Sequence, residues 1–179
     1  IGALYVKSGI ELEPLIYGGH QENGLRAGTE NYIGIISMGK AAELLKDEMN
    51  ADIKKMKKLR DMLRIGIQES IPDVQINGLQ EKCLPSTLNV SFSHVEGESI
   101  LLYLDLEGIA VSTGSACATG SLEPSYVLTA LKIDTALAHG SIRFSFGRDN
   151  TEEDVEYVLE KLPSVISKLR KMSPLAGKK

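Results

Sequence analysis

Apolar positions recur along the chain with two different periods. Leu45, Met49, Ile53, Met56, Leu59, Leu63 and Ile67 fall three or four residues apart, with Lys, Asp and Glu between them. That spacing predicts a long amphipathic helix, and Ile71 and Pro72 predict its end. Val155, Val158, Leu159, Leu162, Val165, Ile166 and Leu169 form a second helical stripe. Thr151 and Asp154 predict a capping box at its start, and Pro163 predicts a kink or a division. Gly97–Leu106 and Pro124–Leu131 also suit helices, the second with Ser121 as a cap and Pro124 in its first turn.

Between these stripes the period drops to two. In 86–94 (STLNVSFSH), Leu88, Val90 and Phe92 alternate with polar residues, and 141–146 (SIRFSF) alternates in the same way. Both predict half-buried strands. Val74–Gly78 predicts a brief strand and turn, and Gly108–Thr113 a further strand. Ile1–Val6 is apolar and partly β-branched, which predicts a strand ended by Ser8 and Gly9. Gly18–Asn31 is rich in turn formers and predicts a loop. The fold class expected is α+β: a small, mainly antiparallel sheet covered by helices on one side, in residues 50–179. Residues 1–49 read as the remnant of a larger α/β domain and the start of the long helix that connects the two.

Composition narrows the function classes. The chain has 179 residues and a net charge of −4, from 20 Lys and Arg against 24 Asp and Glu. That balance argues against a nucleic-acid partner, which calls for a clustered basic face. No apolar run has the length of a membrane helix, so no membrane partner is expected. Two cysteines, Cys83 and Cys117, do not make a disulfide framework, and they favour a reducing, cytoplasmic setting. Neither sits in a C-x-x-C pair or beside spaced histidines, so no metal site is expected. The basic cluster Lys54–Arg60 reads as a solvated helix face.

Three residue types remain as candidate chemistry. Cys117 lies in "GSACATG", between Gly114 and Gly120 and just before an expected helix start. Glycine frees the backbone there, and a helix N-terminus favours a thiolate. Two readings stand on these local residues: a mobile, reactive thiol that carries a group between two places, or a small hydrophobe in a strand-to-helix turn. Cys83 has nothing beside it to activate it and reads as structural. Arg143 interrupts Ile142 and Phe144 in a strand, so alternation puts it on the opposite face, toward solvent or toward a cleft. A guanidinium fork suits a carboxylate. Of the histidines, His20 shares the glycine-rich loop with Arg26 and Thr29, His94 follows a strand as ordinary surface, and His139 precedes the last strand.

The stretches "GGHQENGLRAGTEN", "LNVSFSHVEGESILLYLDLEGIAVSTGSAC", "GSACATGSLEPSYVL" and "AHGSIRFSFGRDNTEEDVEYVLEKLP" together resemble the class I cysteine desulfurases. These are pyridoxal-phosphate enzymes of the fold-type I, class V aminotransferase superfamily. The resemblance runs in order over essentially the whole chain. It implies that L-cysteine is the substrate, that a loop thiolate takes its sulfur as a persulfide, and that L-alanine leaves. It also implies a sulfur-acceptor partner, an iron–sulfur scaffold or a tRNA-thiolation protein, and a homodimer. By resemblance Cys117 falls on the nucleophile and Arg143 on the arginine that holds the substrate carboxylate. Thr29 falls on a residue that reaches the cofactor phosphate of the neighbouring subunit.

One feature of the family is missing from the sequence. The lysine that bonds the cofactor follows a histidine in these enzymes, and here no lysine follows any of the three histidines. The resemblance therefore implies the C-terminal half of such an enzyme, inactive as a lone polypeptide. Two other readings stand beside it: a non-catalytic sulfur-carrier or interaction module, and part of a selenocysteine lyase. Upstream sequence bearing the lysine, and a yellow cofactor band, would separate the enzyme from the carrier.

Overall fold

A computed structural model describes residues 1–113 and 125–173. The chain divides into two compact units, Ile1–Asn50 and Ala51–Lys179. In chain order the elements are α1 (Tyr32–Ser70), β1 (Val74–Ile76), β2 (Thr87–Phe92), α2 (Gly97–Leu106) and β3 (Ser112–Thr113). They are followed by α3 (Tyr126–Ala130), α4 (Thr135–His139), β4 (Ser141–Ser145) and α5 (Glu152–Met172). The four strands form one antiparallel sheet in the order β1-β2-β4-β3. The α+β class expected from the two periods is the one observed.

The second unit is built on one face of that sheet. Leu88, Val90 and Phe92 of β2 and Ile142 and Phe144 of β4 are buried there with Leu59, Leu63 and Ile67 of α1. Ile100 and Leu104 of α2 and Val155, Leu162, Val165, Ile166 and Leu169 of α5 complete the core. Each strand residue in this list is separated from the next by one residue, and the helix residues recur at three, four or seven, with Val165 and Ile166 side by side on one stripe. Side-chain direction thus follows the local period. Burial of this many large aliphatic groups is the main favourable term for the unit.

Local signals that the sequence carries are realised at several ends. Thr151 Oγ1 accepts from Asp154 N at 3.3 Å, and Asp154 Oδ2 accepts from Thr151 N at 3.0 Å, closing the capping box of α5. Ser8–Gly9 forms a turn, with Ile10 N donating to Lys7 O at 3.1 Å and Gly9 at φ +86°. The expected loop at 18–31 is irregular apart from a 3₁₀ turn over Gln21–Gly24.

Other expectations are corrected. Ile1–Val6 forms no strand; five of its six residues are exposed, and no ladder partner pairs with it among the described residues. Apolar, β-branched composition prepares a segment for pairing but does not supply the partner. Pro163 does not divide α5, which runs unbroken from Glu152 to Met172. Leu162, Val165 and Ile166 on either side of it are buried in the core, and that packing offsets the lost backbone donor. Arg60 is not part of a solvated face: it is 2% exposed. Its guanidinium donates to Asp61 Oδ1 at 2.8 and 3.1 Å and to the carbonyls of Gln80 and Leu84 at 3.2 and 3.4 Å. The predicted strand at 108–113 is realised only as Ser112–Thr113. Helix α4 was not anticipated; its signal is Asp134, whose carboxylate accepts from Ala136 N at 2.9 Å. The expected helix at 124–131 is seen over Tyr126–Ala130, while Ser121 and Pro124 lie outside the described residues.

The first unit has few buried side chains. Ala27 is its one buried residue among the described residues, while Leu4, Tyr5, Leu15, Tyr17, Ile33 and Ile36 are exposed.

Candidate functional site

Alternation in β2 and β4 creates a second, polar sheet face. Opposite Leu88, Val90, Ile142 and Phe144 stand Thr87, Asn89 and Ser91 of β2 and Ser141, Arg143 and Ser145 of β4. Arg143 is exposed on this face, the orientation expected from its place between two core residues. Its register partner on one side is Asn89 and on the other Ser112. Arg143 Nη2 donates to Ser112 Oγ at 3.4 Å. Among the described residues no carboxylate is paired with Arg143. An exposed guanidinium with a weak hydroxyl partner keeps most of its five donors for an incoming anion.

Beside this arginine lies an amide network. Asn77, 4% exposed, donates from Nδ2 to Asn89 Oδ1 at 2.6 Å and to Ser91 Oγ at 2.8 Å. Gln75 Nε2 donates to Asn77 Oδ1 at 3.4 Å. The backbone pins Asn77 as well: its N donates to Asn89 O at 2.9 Å, and its O accepts from Gln80 Nε2 at 3.2 Å. Asn77, Asn89 and Ser112 were not singled out from the sequence. The signal available was the alternation in "LNVSF", which puts Asn89 on the face opposite the core.

Strand β3 ends at Thr113 and leads into the segment that holds Cys117. Cys117 itself lies outside the described residues. Ser112 therefore ties Arg143 to the strand from which the cysteine segment departs. Thr29 is exposed in the first unit, just past Gly28 at φ +106°. His20, His94 and His139 are all exposed. His94 sits at φ +66°, in the left-handed region, at the turn after β2. Cys83 is a free thiol, half-buried, packed near Gly78.

Two cavities lie in the second unit, and neither is lined by Arg143. One, of about 280 Å³, is lined by Leu63, Ile109, Phe144, Val155 and Tyr157 among others. The other lies between Ser70–Pro72 and Pro163–Lys171. Arg170 reaches across near it, donating from Nε to Ser93 O and from Nη2 to the carbonyls of Pro72 and Asp73. Burial pushes its guanidinium below the usual range, and Asp73 opposes that shift. Among the described residues no cluster of three or more His, Cys, Asp or Glu could hold a metal ion.

Pyridoxal phosphate requires donors for its phosphate, an amine for its aldehyde and a partner for its ring nitrogen. The exposed Thr29 hydroxyl suits a phosphate oxygen, and the Arg143 fork suits the carboxylate of an amino-acid substrate. Neither of the two cavities described above is lined by Arg143 or Thr29. The residues thus fit part of the group, its phosphate and its substrate's carboxylate.

Residues 1–158 match the family profile described as aminotransferase class-V. A cysteine desulfurase IscS of Dictyoglomus turgidum is 53% identical over 174 residues, 97% of this chain and 44% of that protein. A cysteine desulfurase of Gluconacetobacter diazotrophicus has the same identity and the same coverage. Among solved structures, a NifS-like protein superposes with a TM-score of 0.80 at 38% identity, over 92% of this chain and 42% of its own. A NifS-like protein from Rickettsia africae superposes with a TM-score of 0.76 at 30% identity, over 88% and 41%. The chain spans less than half the length of these relatives.

Proposed function

Because the chain belongs to the aminotransferase class-V family, a pyridoxal-phosphate-dependent group, we propose that it is the part of a cysteine desulfurase that captures substrate and carries sulfur. The observation that carries this reading is Arg143, an exposed guanidinium on the polar sheet face, hydrogen-bonded to the strand that leads to Cys117. The identity to proteins named cysteine desulfurase over 97% of the chain supports it.

The work of the chain's own residues follows from their chemistry. Arg143 binds the α-carboxylate of L-cysteine through its planar fork and sets the direction of the substrate. Pyridoxal phosphate, when bound, supplies the electron sink that lets the bond between the β-carbon and sulfur break. The Cys117 thiolate attacks the substrate sulfur, forming a sulfur–sulfur bond. The carbon keeps the bonding pair, takes a proton and leaves as L-alanine. Cys117 is then a persulfide, and an acceptor thiolate removes the outer sulfur. Small residues on both sides of Cys117 suit a thiol that visits both a cofactor and a partner. The acceptor we propose is an iron–sulfur scaffold or a tRNA-thiolation protein. We propose a homodimer, in which Thr29 reaches the phosphate bound by the other subunit. The many exposed apolar side chains of 1–50 support a covering partner for that unit. Two cysteines in 179 residues support a reducing, cytoplasmic site of action.

The test is turnover by the full-length protein that contains this chain. L-cysteine should yield equimolar L-alanine and a persulfide located at Cys117 by mass spectrometry. Persulfide without alanine would favour the carrier reading, and preference for selenocysteine by orders of magnitude would favour the lyase. A polypeptide of residues 1–179 alone should show no borohydride-reducible cofactor adduct, since it carries no histidine–lysine pair.

A further inference from the structure

The polar sheet face holds more than an arginine. Asn89 of β2 is the direct register partner of Arg143 of β4. Directly opposed residues on one face of an antiparallel pair have Cβ atoms about 4.5–5.5 Å apart. Both project away from the core that Leu88, Val90, Ile142 and Phe144 form on the other face. An asparagine amide has one acceptor end and one donor end. The acceptor end of Asn89 is taken by Asn77 Nδ2 at 2.6 Å, and among the described residues its NH₂ group has no partner, which leaves it as the end for a ligand.

The asymmetry is enforced by the residues behind it. Asn77 is almost fully buried and donates to two acceptors, Asn89 Oδ1 and Ser91 Oγ, from the same nitrogen. Its own oxygen is occupied by Gln75 Nε2. Its backbone is held to Asn89 O and to Gln80. A flip of Asn77 would set its oxygen against the oxygen of Asn89. In this arrangement the relay Gln75–Asn77–Asn89 runs donor to acceptor toward Arg143.

We propose that Asn89 is a second donor for the substrate carboxylate held by Arg143, and that Asn77 is the positioning residue that aims it. This inference rests on the reading of Arg143 as the carboxylate-binding residue. A carboxylate has about four lone-pair sites, and a bidentate guanidinium uses two of them. The Asn89 NH₂ satisfies a third from the flank opposite Ser112. Because both ligand-facing groups are then donors only, the site discriminates for a carboxylate and against an uncharged or donor group in its place.

The test is steady-state kinetics on the full-length protein that contains this chain. Measured are KM and kcat for L-cysteine, competitive inhibition by L-alanine, and inhibition by cysteamine, which lacks the carboxylate. Asn89→Asp keeps the acceptor that Asn77 needs and replaces only the NH₂, so it does not rely on a folding-neutral deletion. It should raise KM and the alanine inhibition constant together by about tenfold or more, with kcat changed by less than about threefold. Asn89→Ala should do the same to a smaller extent. Asn77→Ala should raise the same two constants although it touches no ligand, and cysteamine inhibition should stay unchanged in all three. The inference is overturned if Arg143→Ala raises KM while both Asn89 variants leave it within about twofold. It is also overturned if the variants weaken cysteamine and alanine equally, which would mark a structural role. If the wild-type protein releases no alanine, or Arg143→Ala leaves KM unchanged, the underlying reading of the site fails instead.

Discussion

Arg143 on β4 donates from Nη2 to Ser112 Oγ on β3 at 3.4 Å, across a register in which the two residues are direct partners. The contact is long, its acceptor is neutral, and the arginine is exposed. A carboxylate offers the same guanidinium shorter, charge-assisted bonds, so an amino-acid substrate should displace the serine. Arg143→Ala should raise KM for L-cysteine by roughly 10- to 100-fold, equivalent to about 1.5–3 kcal/mol for a hydrogen bond to a charged group. Arg143→Lys should recover part of the loss, since it keeps the charge and loses the planar fork. Initial rates over a range of L-cysteine concentrations check both.

The two cysteines should separate cleanly. Cys117→Ser should retain substrate binding and abolish persulfide formation, because a serine hydroxyl stays protonated near neutral pH and attacks sulfur poorly. Cys83 is half-buried and free, with no charged partner given to it among the described residues, and Cys83→Ser should change turnover by less than about threefold. Mass spectrometry after a single turnover reads the outcome. Persulfide on Cys83, or normal alanine release by Cys117→Ser, would remove Cys117 from the mechanism.

Gly140 lies where the sheet and the turn after β2 come closest. A Cβ there would meet the carbonyl oxygen of Phe92 and, at 2.8 Å, that of Val95. These are backbone atoms, and Phe92 N also donates to Gly140 O at 2.9 Å. Neither side can yield without moving β2. Gly140→Ala should destabilise the unit by about 1–3 kcal/mol, as overpacking does elsewhere. By contrast, a Cβ at Gly108 meets nothing within 4 Å, although φ there is +76°. Thermal melts of the two alanine variants should therefore rank Gly140 as the space-limited position and Gly108 as the conformation-limited one.

The capping box of α5 should be visible in acid. Asp154 is held below the usual carboxylate range, first by the Asn150 side chain and then by the Thr151 backbone N–H. Its pKa is lower folded than unfolded. The stability it contributes is thus present above the ordinary value of about 3.9 and is lost as pH falls through the folded value. The carboxylate is almost fully exposed, so solvent screening keeps the effect small. Asp154→Ala should flatten the stability profile below about pH 4 and leave its shape above pH 5 unchanged. Thr151→Ala should cost about 1 kcal/mol across the whole range. Denaturant midpoints measured at stepped pH test both.

Much of the second unit is written locally. The period of two over Leu88, Val90 and Phe92, and the period near 3.6 over Val155 to Leu169, name the strands, the helix and their buried faces without reference to anything distant. The orientation of Arg143 follows from the same alternation, and the start of α5 follows from Thr151 and Asp154. What only the tertiary structure decided is who faces whom. Strand order β1-β2-β4-β3 sets Asn89 and Ser112 on either side of Arg143, although they lie far from it along the chain. The same long-range packing carries α5 through Pro163 and buries Arg60 against the carbonyls of Gln80 and Leu84, and Ile1–Val6 finds no strand to join among the described residues. A period records which side of an element is apolar, because that depends on neighbours a few residues away. Register, burial of a charge and the presence of a pairing partner depend on segments that meet only when the chain has folded.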